Sequence, residues 1–117
     1  MLLTANTARL FVFTAPTDLR KSYDGLAALV RDHFGHALLE GHLFIFLNRS
    51  RSRLKALYFD GTGVCILQKR LEVGRFPALR GDLGHLELNL AELHLLLQGH
   101  QVVGRLDLKA ASISMKA

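Results

Sequence analysis

The sequence predicts an α+β fold, in which a small antiparallel sheet of three to four strands, arranged as a hairpin or meander, packs with two helices. Three observations predict it. Arg53–Phe59 and Val64–Arg70 are β-rich runs joined by Asp60-Gly61-Thr62-Gly63. Asp-Gly between apolar runs is a strong hairpin signal, because the turn needs positive φ and glycine supplies it without steric cost. Tyr23, Leu26, Ala27, Val30 and Phe34 recur at the spacing of one buried helix face. Asn89 stands three residues ahead of Glu92 at the head of a leucine-rich run that ends at Gly99, a variant of the capping box.

Taken in order, Arg9–Thr14 (RLFVFT) is a first strand, rich in aromatic and β-branched residues. Pro16 stops it, since proline cannot donate to a ladder. Ser22 caps a helix near residues 22–34, with Thr17 and Asp18 as earlier starts, and Gly35 ends it. Arg20 and Lys21 oppose the dipole at that helix start. They are expected to meet Asp18 or Asp24, with a phosphate as the other partner. Residues 36–41 connect to a strand at His42–Leu47. Residues 77–85 (PALRGDLGH) carry two glycines and no periodicity, and are expected to be a loop. In a second helix near 90–98, Leu90, Leu93 and Leu97 form one stripe that Leu96 widens. The expected organisation is a single domain over 1–99 with a C-terminal tail, 100–117, in which no firm element is predicted.

A chain of 117 residues, half of them hydrophobic, is within the range of one domain with its own core. No apolar run approaches the ~18 residues of a membrane span. The opening segment lacks an early positive region and is interrupted by Arg9, so no secretory signal is expected. One cysteine, Cys65, excludes an internal disulfide and fits a reducing, cytoplasmic compartment. A net charge of +5 and a pI near 9.9 favour a polyanionic partner, nucleic acid before membrane.

The positive charge has a place. With Gly61-Thr62 as a two-residue loop, Lys55 faces Gln68 and Arg53 faces Arg70; a three-residue loop sets Lys55 opposite Lys69 instead. In both registers the basic residues gather at the open end of the hairpin. The connection Asn48-Arg49-Ser50-Arg51-Ser52 projects from the same end. Arg49, Arg51, Arg53, Lys55, Lys69 and Arg70 therefore crowd one sheet edge, and from Asn48 to Arg70 the only acid, Asp60, lies at the other end. Like charges facing across strands are destabilising unless they splay into water or share an anion. Arginines alternating with serines on a tight connection have the form of a phosphate-gripping loop, while a charged loop is also an ordinary solvated one.

Chemistry for catalysis is not apparent. The ten acids are scattered, where metal-dependent nucleic-acid enzymes need convergent carboxylates. His33, His36 and His42 form a loose cluster without sulfur ligands, better explained as helix-end and loop residues than as zinc ligands. Cys65 sits mid-strand with no histidine near it in sequence, and the phenylalanines and Tyr58 are better assigned to the core than to base stacking. No nucleotide-binding or nucleophile-elbow motif occurs. No catalytic residue, metal or cofactor is expected.

Several ordered blocks resemble a known family. Thr17-Asp18-Leu19-Arg20-Lys21-Ser22-Tyr23-Asp24-Gly25-Leu26-Ala27-Ala28-Leu29-Val30 is similar to the opening signature of the TnpB accessory proteins of insertion-sequence-66-type bacterial transposons. Gly41–Phe46 resembles the second block of that family. Residues 53–60 with Gly63, Lys69–Glu72 and Gly74–Phe76 resemble the third, and residues 93–99 the closing helix. The resemblance covers about residues 9–99. It implies a small non-catalytic protein that assists transposition beside a separate transposase. DNA at the transposon ends and the cognate transposase are the implied partners, and the location is cytoplasmic and nucleoid-associated. Arg49, Arg51, Arg53, Lys55, Lys69 and Arg70 are the expected phosphate contacts, with Arg20, Lys21 and Arg75 as a second tier. An adaptor that docks on the transposase without touching DNA is the alternative, and homo-oligomerisation is left open. Positions 58, 59 and 66–68 lack the tryptophans and extra aromatics associated with the family, which argues against base stacking.

Overall fold

The computed structural model of the chain describes residues 9–99. The opening segment through residue 8 and the tail 100–117 lie outside the described residues, and so do the expectations that fall on them. The elements are β1 (Leu10–Phe13), α1 (Tyr23–Phe34), β2 (Leu43–Leu47), β3 (Arg53–Phe59), β4 (Val64–Arg70), β5 (His85–Leu88) and α2 (Leu90–Gln98), with one 3₁₀ turn at Ala37–Glu40. The strands form one sheet in the order β4-β3-β2-β1-β5.

The hairpin has the two-residue loop. Phe59 faces Val64, Lys55 faces Gln68 and Arg53 faces Arg70. Gly61 takes φ 104° as the first loop residue, the requirement of a II′ turn. The Asp60 carboxylate accepts from the backbone N–H groups of Thr62 and Gly63, both at 2.9 Å, and from the Thr62 hydroxyl at 3.1 Å. Those bonds hold its pKa down to about 2.

The α+β class is as expected, but the sheet has five strands rather than three or four, and it is not wholly antiparallel. β1 pairs parallel with β2, Leu10 beside Leu43, and α1 supplies the crossover that a parallel pair requires. β5 lies antiparallel on the other side of β1, within residues expected to be loop and helix approach. Four residues give too short a pattern to stand out, and β5 exists through its pairing with β1 rather than through local preference.

The sheet is covered on both faces, so β2 (LFIFL) is buried at every position. Its pleat sorts side chains by type. Phe44 and Phe46 face α1 and join Phe11, Leu26, Val30 and Leu57. Leu43, Ile45 and Leu47 face α2 and join Val12, Leu54, Tyr58, Phe76, Leu93 and Leu96. Phe44 is fully buried, with ring centroids 5.6 Å from Phe11 and 5.0 Å from Phe34.

Two stripe assignments shift. Tyr23 is half exposed, and the buried stripe of α1 starts at Leu26. A tyrosine in a first turn can keep its hydroxyl wet. In α2 the capping box forms: Asn89 Oδ1 accepts from Glu92 N at 2.8 Å, and Glu92 Oε1 accepts from Asn89 N at 2.9 Å. Folding Glu92 back on the cap turns the Glu92–Leu93–Leu96 side inward and leaves Leu90 outside.

The histidines separate. His42 Nδ1 accepts from Arg9 N at 3.0 Å. His33 meets His85, with Nε2 and Nδ1 2.8 Å apart, beside Phe13 and Phe34. At that distance one proton serves both nitrogens. Burial first, then the field of His33, pushes the His85 pKa below its ordinary value.

Two outcomes are expected. Phe44→Ala should cost about 3–5 kcal/mol in urea unfolding, the usual range for an emptied aromatic site. The histidine pair gives a pH dependence of defined sign. Unfolded His85 takes up a proton near pH ~6.5, while the folded state resists it, so this contribution is complete above that pH and is lost as pH falls below it. Unfolding free energy should drop less between pH 7 and 5.5 in His85→Gln than in the parent chain; equal slopes would remove the pair as the cause.

Candidate nucleic-acid interface

Three connections meet at one end of the sheet. Because β1 runs parallel to β2, residues 14–22 leave the sheet at the same end as residues 48–52. The segment from Arg70 toward β5 leaves there too, since Arg70 pairs with Arg53. The 48–52 loop is built around Asn48. Its Oδ1 accepts from Ser52 N at 2.9 Å and Arg53 N at 3.0 Å, and its carbonyl accepts from Arg51 N at 3.0 Å. Ser50 and Ser52 hydroxyls bond each other at 2.8 Å, so both serines take part in holding the loop. Arg51 holds φ 56°, an uncommon left-handed conformation for a non-glycine residue. The Arg51 carbonyl accepts from Phe76 N at 2.7 Å, which ties the loop to the chain after β4.

Two adjoining grooves open here. One, of about 600 Å³, lies between residues 16–20 and Asn48, Arg49, Ser50 and Arg53. The other, of about 440 Å³, is lined by Leu19, Arg53, Leu54, Lys55, Gln68, Lys69, Arg70 and Glu72. Leu19 and Arg53 belong to both, so the two form one trough. Arg20, Arg49, Arg53, Lys55, Lys69 and Arg70 line it, against the carboxylates Asp18 and Glu72.

These cations are not equivalent. Arg20 pairs with Asp18 at 2.6 Å, the intramolecular partner expected for it. The side-chain bond from Arg20, then its backbone N–H, lowers the Asp18 pKa to about 2, so the carboxylate stays ionised at neutral pH. Arg70 meets Glu72 at 3.3 Å. Lys55 Nζ donates to the Lys21 carbonyl at 2.8 Å, just ahead of α1. Lys69 sits opposite Leu54, on the α2 face, and its Nζ donates to the Leu97 carbonyl at 2.5 Å in the last turn of α2. A cation there suits the helix dipole. Arg49 and Arg53 are exposed and have no ion-pair partner among the described residues.

The remaining expected residues stand apart. Arg51 lines a smaller groove of about 190 Å³ with Pro16, Pro77 and Leu79, which Arg49 also borders. The Lys21 stem packs on α1, where a Cβ on Gly25 would meet it at 3.1 Å. Arg75 is exposed and lines none of these three grooves. Asn48 and Leu19 take roles at the site that were not expected of them. An asparagine opening a tight connection was the available signal for the first. Leu19 has no local signal, because the topology alone places it between the grooves.

Tyr58 is buried, and Phe11, Phe44, Phe46 and Phe76 are core residues, which leaves them unable to stack on bases. Cys65 is half-buried with its thiol toward Asp60 Oδ2 at 3.6 Å. Among the described residues no group of three or more His, Cys, Asp or Glu could hold a metal ion, and no helix is long and apolar enough to cross a membrane.

The chain was compared with known proteins. The family model described as IS66 Orf2 like protein (TnpB_IS66) matches residues 8–105. The "Uncharacterized protein y4hO" of Sinorhizobium fredii (strain NBRC 101917 / NGR234) is 36% identical over 99 residues, covering 85% of this chain and 86% of the relative. The "Uncharacterized protein y4jC" of the same strain is 37% identical over 95 residues, covering 78% of each. No solved structure matches the chain. On the extent of the family match and the identity of these relatives, the chain belongs to the IS66 Orf2-like (TnpB) family of insertion-sequence accessory proteins.

Proposed function

We propose that this protein is a non-catalytic accessory factor of transposition that grips the phosphate backbone of DNA in the trough at the basic end of its sheet. One observation carries the reading. Arg49 on the loop and Arg53 at the start of β3 stand exposed, with no ion-pair partner among the described residues, where Asn48 holds the backbone, and Arg70 faces Arg53 directly across the strands. Keeping like charges side by side has a cost that a phosphate between them would offset. Arg20 and Lys55 border the same trough. Phosphate contacts fix position and affinity rather than sequence choice, so selection of transposon ends would fall to the cognate transposase or to a second site.

The second reading, an adaptor that docks on the transposase without touching DNA, draws on Leu90, which is 55% exposed at the head of α2. The remaining leucines of that helix are buried or half-buried, so its apolar surface is largely spent on the core.

Binding of the purified protein to transposon-end duplex should weaken steeply with salt, log affinity falling by about 0.9 per log salt for each phosphate neutralised. Arg49→Ala and Arg53→Ala should each lower that slope by about one contact. A flat response, with a salt-sensitive complex formed only with the transposase, would replace the DNA reading by the adaptor. Loop order should matter separately. Asn48→Ala should cost about 1–3 kcal/mol of stability through the unpaired Ser52 and Arg53 amides, and should weaken DNA binding while leaving the salt slope unchanged. A slope lowered as much as by Arg49→Ala would indicate that loop order is not the cause.

A further inference from the structure

The two edges of the sheet are unlike. β5 is four residues long, and β4 is seven, from Val64 to Arg70. The hydrogen bonds at the two ends of the hairpin fix which β4 groups are spent. Asp60 N donates to Gly63 O at 3.0 Å, and Leu71 N donates to Ser52 O at 2.9 Å. In an antiparallel ladder the bonded residues alternate. Cys65, Leu67 and Lys69 therefore bond to β3, while Val64, Ile66, Gln68 and Arg70 turn their N–H and C=O groups outward. A long edge of this kind is a template for another strand.

We infer that this edge pairs antiparallel with the same edge of a second copy of the chain, about a two-fold axis at Leu67. Only that register uses every outward N–H and C=O: Ile66 pairs with Gln68 of the second copy, and Val64 with Arg70. It is also the register that charge favours. Lys69 falls opposite Cys65 of the second copy, whose thiol lies 3.6 Å from the Asp60 carboxylate. Lys69 Nζ is held by the Leu97 carbonyl of its own chain, so its approach to the other copy's acidic turn on the same face exchanges that bond for the Asp60 carboxylate. Sliding toward the basic end instead sets Lys69 against Lys69, or Arg70 against Arg70, which is unfavourable. Leu67 is 43% exposed in the single chain and is covered by its own counterpart on the axis. The surface is self-complementary, as a two-fold interface must be. The inference does not depend on the DNA reading.

Pairing of one edge is a smaller contact than a standard interface of ~1,600 Å², so the dimer is expected to be reversible. Sedimentation of the full chain from roughly 1 to 200 µM should show a shift from the 13.0 kDa monomer to twice that mass. Gln68→Pro removes only an outward N–H and should weaken the dimer at least ~tenfold with the helical circular dichroism retained. Leu67→Lys places like charges on the axis and should weaken it several-fold. The register has its own readout. Leu67 meets its counterpart at a non-hydrogen-bonded site, where Cα atoms lie ~4.5 Å apart, within disulfide range. In a Cys65→Ser background, Leu67→Cys should crosslink on mild oxidation and Ile66→Cys should not. Amide exchange at Ile66 and Gln68 should slow as concentration rises. A monomer at every concentration overturns the inference, as does a dimer indifferent to both variants or a crosslink at Ile66 rather than Leu67. Amide protection independent of concentration would also overturn it, by showing that a segment of the same chain covers the edge.

Discussion

The parallel pairing of β1 with β2 is the constraint on which the rest depends. Two strands that run the same way must release their following segments at the same end. The β2–β3 hairpin connection is basic, so the chain leaving β1 is brought to the Arg49 loop, and Leu19 comes to lie between two grooves. Had β1 run antiparallel to β2, Asp18 and Arg20 would sit at the far end with the Asp60 turn. The crossover that permits the parallel pair is also the helix that covers the phenylalanine face. One topological choice thus closes the core and assembles the trough.

Much of this was legible in the chain. The Asp-Gly turn marked the hairpin, with its register open by one residue until the structure set Lys55 against Gln68, and Asn89 with Glu92 marked the head of α2, because both signals are carried by residues close in sequence. The basic end followed from the hairpin alone. What escaped was set by distant partners. β5 is a strand through its pairing with β1, and His33 finds its partner, His85, on that strand. The pleat also divided the expected cation set. Lys69 and Lys55 are close in the hairpin but face opposite helices, so one serves the end of α2 and the other the approach to α1.

The electrostatics of the trough are those of a partly neutralised surface. Asp18 and Glu72 hold Arg20 and Arg70 in place, and exposed pairs of this kind contribute little to stability. Their effect is on geometry, since a guanidinium held by a carboxylate loses less freedom when a second anion arrives. Arg49 and Arg53 have no such partner among the described residues, and their backbone is the one that Asn48 fixes.

The distance along the chain between β1 and its outer neighbour bears on how the protein is made. The Arg9–Glu87 pair joins residues 78 apart. On a ribosome, β1 to β4 with α1 can assemble from contiguous chain, while the outer side of β1 stays unpaired until residues near 88 emerge. Contacts at such separation form slowly, since the loop they close must be ordered first. Until then the outer side of β1 is a sheet edge, and the arrival of β5 moves that edge to a four-residue strand. An interruption of synthesis before residue 85 would leave the aliphatic face of β2 without the helix that covers it.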